Sequence, residues 1–323
     1  MFFQPAKQGK NGVGLYLASI FIIFLAWQVL GGFVFLGGIM AGLPEGADMM
    51  EAMQAMSTDL NFEKLGIDAN YGLFFMILTF ACGVLGLWFC MRMLHKRSFK
   101  TLITPSQSIN YKKIFTAAIL WFAFMGVFEL VSYFLDPGNY VFQFDGSKFF
   151  ILVLISVLLL PIQTSFEEFL MRGYLMQGIG LAAGNRWVPL LVTSTIFGLL
   201  HIANPEVQEY GVGIMMVNYI QIGLMLGVIT LMDDSLELAL GVHAANNIYG
   251  ATMVTFSASA LKTPALFSMQ ELNINTMTIA GLVGSFIFIL LLSKIYGWSD
   301  WSKLWAKIEE EEAIFASEDL EKE

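Results

Sequence analysis

The sequence predicts an all-α polytopic membrane protein with about eight transmembrane helices and both termini in the cytoplasm. Composition, the lengths of its apolar runs and the distribution of its basic residues carry that prediction. The 323 residues are 57% hydrophobic and 13% charged, with a mean hydropathy of +0.68. A soluble domain carries about 25% charged residues. At half that share, the apolar surface cannot be hidden in one globular core, and lipid is the solvent that accommodates it. The net charge of -9 lies largely in two stretches, the loop Glu45–Asp68 and the tail Glu309–Glu323. No basic excess points to nucleic acid.

Runs long enough to cross a bilayer fall at approximately 14–40, 71–94, 113–135, 149–180, 187–203, 211–232, 236–256 and 275–296. The first is far longer than the apolar core of a cleaved signal peptide, so it is read as a retained span. The second holds Cys82 and Cys90, eight residues apart. On a helix that is ~12 Å of axial rise, too far for a disulfide, and both read as small apolar fillers. The fourth run is too long for a simple crossing and contains Pro161, which predicts a kink there. The fifth is short. With the N-terminus inside, 14 of the 17 Lys and Arg residues fall on the cytoplasmic side, and only Lys64, Lys148 and Lys262 fall outside. That asymmetry follows the positive-inside rule and supports an even number of spans. In the first outer loop, Met49, Met50, Met53 and Met56 mark a surface helix. No His or Cys joins them, so they read as an amphipathic face and not as a soft-metal site. The tail residues Glu309–Glu312 with Ala313, Ile314 and Phe315 read as a solvated helix end.

Ionisable groups inside a membrane helix cost several kcal/mol and call for a reason. Three places stand out, each with i,i+4 spacing. In Glu167-Glu168-Phe-Leu-Met-Arg172, Glu168 and Arg172 lie one turn apart on one face and can pair. Glu167 is rotated ~100° from Glu168. One carboxylate is then neutralised locally and the other left free in a low-dielectric site, where it suits a general base. The bland alternative is a helix-end ion pair. In Phe197-Gly-Leu-Leu-His201, the phenyl ring shares a face with the imidazole and can wall it off or orient it; a lone core histidine is the alternative. In His243-Ala-Ala-Asn246-Asn247, His243 and Asn247 share a face, with Asn246 turned away but near His243 at i+3. Such a pair is either an interhelical hydrogen bond or two donors for an oxyanion.

Simple counting brings these places together. Glu167 lies seventeen residues before Gly184 and His201 seventeen after it, so two antiparallel helical arms place both ~25 Å from the Ala183-Gly184-Asn185 turn. His243 is nine residues past Asp234, ~14 Å in. It is level with the others only if the 183–186 hairpin projects ~10 Å into the cytoplasm, which the length of the fourth run allows.

Glu-Glu-x-x-x-Arg at 167–172, Phe-x-x-x-His at 197–201 and His-x-x-x-Asn at 243–247, in that order on separate spans, resemble the CPBP family of intramembrane peptidases. This family is also called CAAX prenyl protease 2 or lysostaphin-resistance-A-like. The resemblance covers about 113–258 and implies a division into four parts. Residues 1–112 are two N-terminal spans with their loops, and 113–258 the catalytic core. Residues 259–308 are the final span with a juxtamembrane segment, and 309–323 the acidic tail. It implies that Glu167 activates a water with help from His201, that His243 and Asn247 stabilise the oxyanion, and that Glu168, Arg172 and Phe197 support the site. It further implies an integral membrane protein of the bacterial inner (plasma) membrane acting on a peptide or lipidated protein. The family is often labelled a metalloprotease, which leaves open a zinc on Glu167, His201 and His243. Against zinc, no HExxH helix is present and His95 sits in the basic run His95-Lys96-Arg97. A metal-free reading is preferred because the His-Asn pair suits an oxyanion better than a metal. Two rival functions remain at the level of sequence: a non-catalytic membrane scaffold or immunity protein, and a proton-coupled transporter using the same residues as a relay. Substrate identity and oligomeric state are not legible.

Overall fold

A computed structural model describes residues 2–58 and 61–308. Eight main helices stand at the eight expected positions: α1 Val13–Gly42, α2 Ala69–Leu94, α3 Tyr111–Leu135, α4 Gly146–Ala183, α5 Trp187–Leu200, α6 Val212–Asp233, α7 Glu237–Thr252 and α8 Ile274–Tyr296. Six of them are long and apolar enough to cross a membrane unaided. The other two are shorter. The 14 residues of α5 and 16 of α7 rise ~21 and ~24 Å, less than the ~30 Å hydrocarbon core. Helix α5 stops where His201 leaves helical geometry (φ -93°, ψ 3°). Helix α7 is buried along most of its length and packs on α3, α4 and α6, so it meets little lipid and tolerates polar residues.

The bundle wears its apolar side chains outward. Leu17, Phe21, Phe33, Phe115, Ile119, Phe150, Leu154 and Phe286 are all more than half exposed, a surface that water would not stabilise but acyl chains do. Gly241 sets the closest helix approach: a Cβ there would collide with the carbonyl oxygen of Ile114 on α3. At the inner hairpin Gly184 adopts a left-handed conformation (φ +66°), the αL turn that glycine allows at a helix C-terminus. Its carbonyl accepts from the Ile308 amide (3.1 Å), which docks the end of the described chain.

Helix α4 spans 38 residues, ~57 Å, well over the ~30 Å hydrocarbon core. Pro161 lies within regular α-helix. The departure from α-geometry falls at Phe169–Met176, a widened π-helical segment. Two further π segments occur at Leu25–Leu30 and Cys90–Leu94. Three short strands lie on the connections opposite the termini: β1 Tyr140–Phe142, β2 Val254–Phe256 and β3 Phe267–Met269. Their order is β1-β3-β2. Strand β3 pairs antiparallel with β1 through Val141↔Ser268 and parallel with β2 through Thr255↔Ser268. Helix Met49–Thr58 forms as expected. Met50 and Met53 on it are exposed, while the side chains of Met49 and Met56 lie outside the described residues. The tail residues Glu309–Glu312, Ala313, Ile314 and Phe315 also lie outside them.

Candidate active site

The three motif segments meet between α4, α5 and α7. Glu168 is fully buried and its Oε1 accepts from Arg172 Nη1 (2.6 Å) and from His243 Nδ1 (2.8 Å). Arg172, also fully buried, donates a second bond to the Gly223 carbonyl (2.9 Å) and lays its guanidinium 4.6 Å above the Phe197 ring. The Glu168–Arg172 pair expected from helical spacing therefore forms, and it also holds an imidazole. With Nδ1 engaged, His243 turns Nε2 toward Glu167 Oε2 at 3.6 Å. That oxygen is buried without a hydrogen-bond partner among the described residues.

The other oxygen of Glu167 ends a chain of directed hydrogen bonds. Trp121 Nε1 donates to Asn246 Oδ1 (3.3 Å), Asn246 Nδ2 to Asn247 Oδ1 (3.2 Å), Asn247 Nδ2 to Gln163 Oε1 (3.3 Å), and Gln163 Nε2 to Glu167 Oε1 (2.9 Å). An indole can only donate and a carboxylate only accept, so both ends fix the orientation of all three amides between them. Gln163 and Asn246 had no assigned role at the level of sequence. Gln163 stood one helical turn before Glu167, which was a readable signal.

His201 reaches the same space from the end of α5. Its Nδ1 bonds the Phe197 carbonyl (2.7 Å). A carbonyl oxygen accepts only, so Nδ1 carries a proton, and in the neutral ring Nε2 is then the lone-pair acceptor. The imidazole lies against the Phe197 ring (centroids 4.7 Å apart) and stacks on Tyr219 (4.3 Å, 20° between planes). Phe197 also touches the ring of His243 (5.8 Å), so one phenyl ring separates the two histidines and the arginine.

Glu167, His201, Gln163, Asn246 and Asn247 line one cavity of about 480 Å³. His243 is not among its lining residues and stands behind Glu167. The remaining wall is largely apolar, with Trp27, Ile77, Phe80, Phe166 and Leu200. Toward the α7–α8 connection the cavity reaches Phe256, Ser259, Ala260 and Leu261. Its lining includes no residue of the connections 97–110, 184–186 or 234–236. Two more polar residues that no motif singled out line it, Glu206 and Tyr219. The third histidine, His95, is tied to the Lys10 carbonyl and the Tyr174 hydroxyl and takes no part.

Glu167 Oε2 and His243 Nε2 approach each other, but among the described residues no three His, Cys, Asp or Glu side chains gather as a metal site requires.

Comparison with known proteins agrees with the motifs. A family model described as type II CAAX prenyl endopeptidase Rce1-like matches residues 146–249. The chain is 30% identical over 276 residues, 84% of its own length and 88% of the other, to the uncharacterized protein YyaK of Bacillus subtilis (strain 168). The chain belongs to the Rce1-like family. No solved structure matches it. The family match runs from the start of α4 to within α7 and so contains all three motif segments. It makes the protein one of the CAAX-type intramembrane protease kind, embedded in a membrane.

Proposed function

We propose that the protein is an endopeptidase that hydrolyses a peptide bond of a membrane-associated or lipidated substrate, with Glu167 as the general base. Water bound beside Glu167 and His201 Nε2 would lose a proton to Glu167 as its oxygen attacks the scissile carbonyl carbon. Asn247 has one amide N–H committed to Gln163 and a second available for the oxyanion. His243 Nε2 faces Glu167 Oε2 from behind the cavity wall, and a proton there would be shared with that carboxylate. Collapse of the tetrahedral intermediate would break the C–N bond, with the proton on Glu167 passing to the leaving amine. No metal is called for.

One observation carries this reading: a single carboxylate has one oxygen oriented by the amide chain, while its other, unpartnered oxygen is 3.6 Å from His243 Nε2. In a bacterial host, membrane-peptide proteomics of cells carrying wild type and Glu167→Gln tests the proposal. Substrate fragments are expected to disappear in the variant while the protein still accumulates. Equal peptide pools would remove the protease reading, and an unchanged immunity phenotype in that variant would favour a scaffold.

A further inference from the structure

Glu206 and Tyr219 belong to no motif, yet they form a second polar assembly on the cavity wall. Helix α5 ends at His201, and the chain re-enters helix at Pro205–Tyr210, with proline at the first helical position. Asn204 occupies the N-cap position but makes no side-chain cap bond. Its Nδ2 donates instead to the Tyr219 hydroxyl (3.0 Å). That hydroxyl donates to Glu206 Oε1 (2.5 Å). Glu206 is 8% exposed and its Oε2 is buried without a partner among the described residues. A carboxylate so enclosed is expensive unless it does something. What it holds is the phenol of Tyr219, whose ring covers one face of His201 at 4.3 Å.

We propose that Glu206 and Tyr219 are positioning residues for His201, clamping the phenol so that its ring keeps the imidazole turned with Nε2 toward the cavity. This rests on the endopeptidase reading above, in which His201 Nε2 meets the attacking water. The imidazole is held at three points: Nδ1 by the Phe197 carbonyl, one contact by the Phe197 ring and the other by Tyr219. Phe197 belongs to the helix that carries His201 and moves with it. Tyr219 is on α6, so it is the contact that ties His201 to the rest of the bundle. A hydroxyl that accepts from Asn204 and donates to Glu206 cannot turn without leaving one of them unpaired. The other titratable groups around His201 are Glu167 across the cavity and His243 and Arg172 beyond Phe197.

The test compares Glu206→Ala, Tyr219→Phe and the double variant. The chain has 3 histidines, so ¹⁵N-imidazole spectra of the protein in nanodiscs are simple, and the His201 signals are those missing from His201→Gln. Wild type is expected to show one Nδ1–H tautomer for His201. Each single variant is expected to move it toward a tautomer mixture and leave His95 and His243 in place. In proteoliposomes with a farnesylated, fluorogenic CAAX-type peptide, each single variant should lose about tenfold in kcat with KM unchanged, the size of one lost hydrogen bond. The double variant should lose no more, because both changes break one linkage. Additive losses, a raised KM with kcat intact, or unmoved His201 signals would overturn the assignment. If Glu206→Ala fails to fold, Tyr219→Phe and the spectra decide alone. Full activity of Glu167→Gln with the same probe would instead sink the endopeptidase reading and leave the spectral result standing.

Discussion

Replacing Arg172 by Met separates what the buried ion pair does for the fold from what it does for the site. Arg172 and Glu168 are both fully buried and joined at 2.6 Å. Removing the guanidinium leaves a carboxylate in the bundle interior with only the His243 bond, and takes a donor from the Gly223 carbonyl. Breaking one side of a buried pair costs about 3–5 kcal/mol. At roughly 2–4 °C per kcal/mol for a chain of this order of size, the melting temperature should fall by about 6–20 °C. Removing both charges in Arg172→Met with Glu168→Leu abolishes the uncompensated carboxylate and should recover at least half of that loss. Cys90 is fully buried and Cys82 only partly so, so in a Cys82→Ser background a thiol-reactive dye reports unfolding. Activity should not follow stability. The double variant takes away the acceptor of His243 Nδ1, so the ring loses its orientation and cleavage stays low. A single variant melting within about 2 °C of wild type, or a double variant melting below the single, would refute this account of the pair.

Gly241→Leu should prevent accumulation of folded protein and Gly241→Ala should lower its melting temperature, because any Cβ meets the Ile114 carbonyl; detergent-solubilised yield and melting check both. Asp234, just after α6, is partly buried, which alone would raise its carboxyl, but Arg186 and Lys303 outweigh that and hold it below the usual carboxylate range. A depressed folded value contributes stability that is present above the ordinary aspartate pKa of ~3.9 and lost as pH falls through the folded value. Melting of wild type should therefore fall between pH 4 and 3 more than that of Asp234→Asn, and parallel curves would contradict this. Dialysis against a chelator should leave cleavage unchanged, since the donor set does not gather a metal; stoichiometric zinc lost on His201→Ala would reverse that expectation. Ser257→Cys, exposed beside β2, should react with an impermeant maleimide from outside intact cells, and labelling only after lysis would invert the orientation deduced from the basic residues.

Most of the bundle was legible because lipid imposes one strong rule, that spanning backbone be helical and its exterior apolar. The ends of six runs agree with the helices to within about three residues. Glu168 with Arg172 was legible for a local reason, i,i+4 spacing, and the level of Glu167 with His201 followed from counting along two helices joined by Gly184. The strands were not legible. Each is three residues long, and β1 and β3 pair across more than a hundred residues of sequence. The expected irregularity at Pro161 lies instead at Phe169–Met176, where Arg172 reaches both Glu168 on its own helix and Gly223 on α6. Glu206 and Tyr219 stayed hidden because their meaning lies in a contact between α6 and the turn after α5, which no spacing within one helix announces.

The two polar assemblies hold their histidines by different means, and the difference follows from burial. His243 is gripped at one nitrogen by a carboxylate that an arginine neutralises, all of it inside the bundle. Its orientation is thus bound to the stability of the fold. His201 is half-buried at a helix end, where a bare carboxylate contact would be weakened by water, and it is held by a backbone carbonyl and two aromatic faces. Glu167 lies between these holders, with one oxygen committed to a chain whose direction an indole donor dictates and the other left toward an imidazole. In a low-dielectric site the alternative amide orientations each strand a donor against a donor or an acceptor against an acceptor. The amide chain therefore supports one arrangement, and that arrangement presents an oriented Glu167 carboxylate to the cavity.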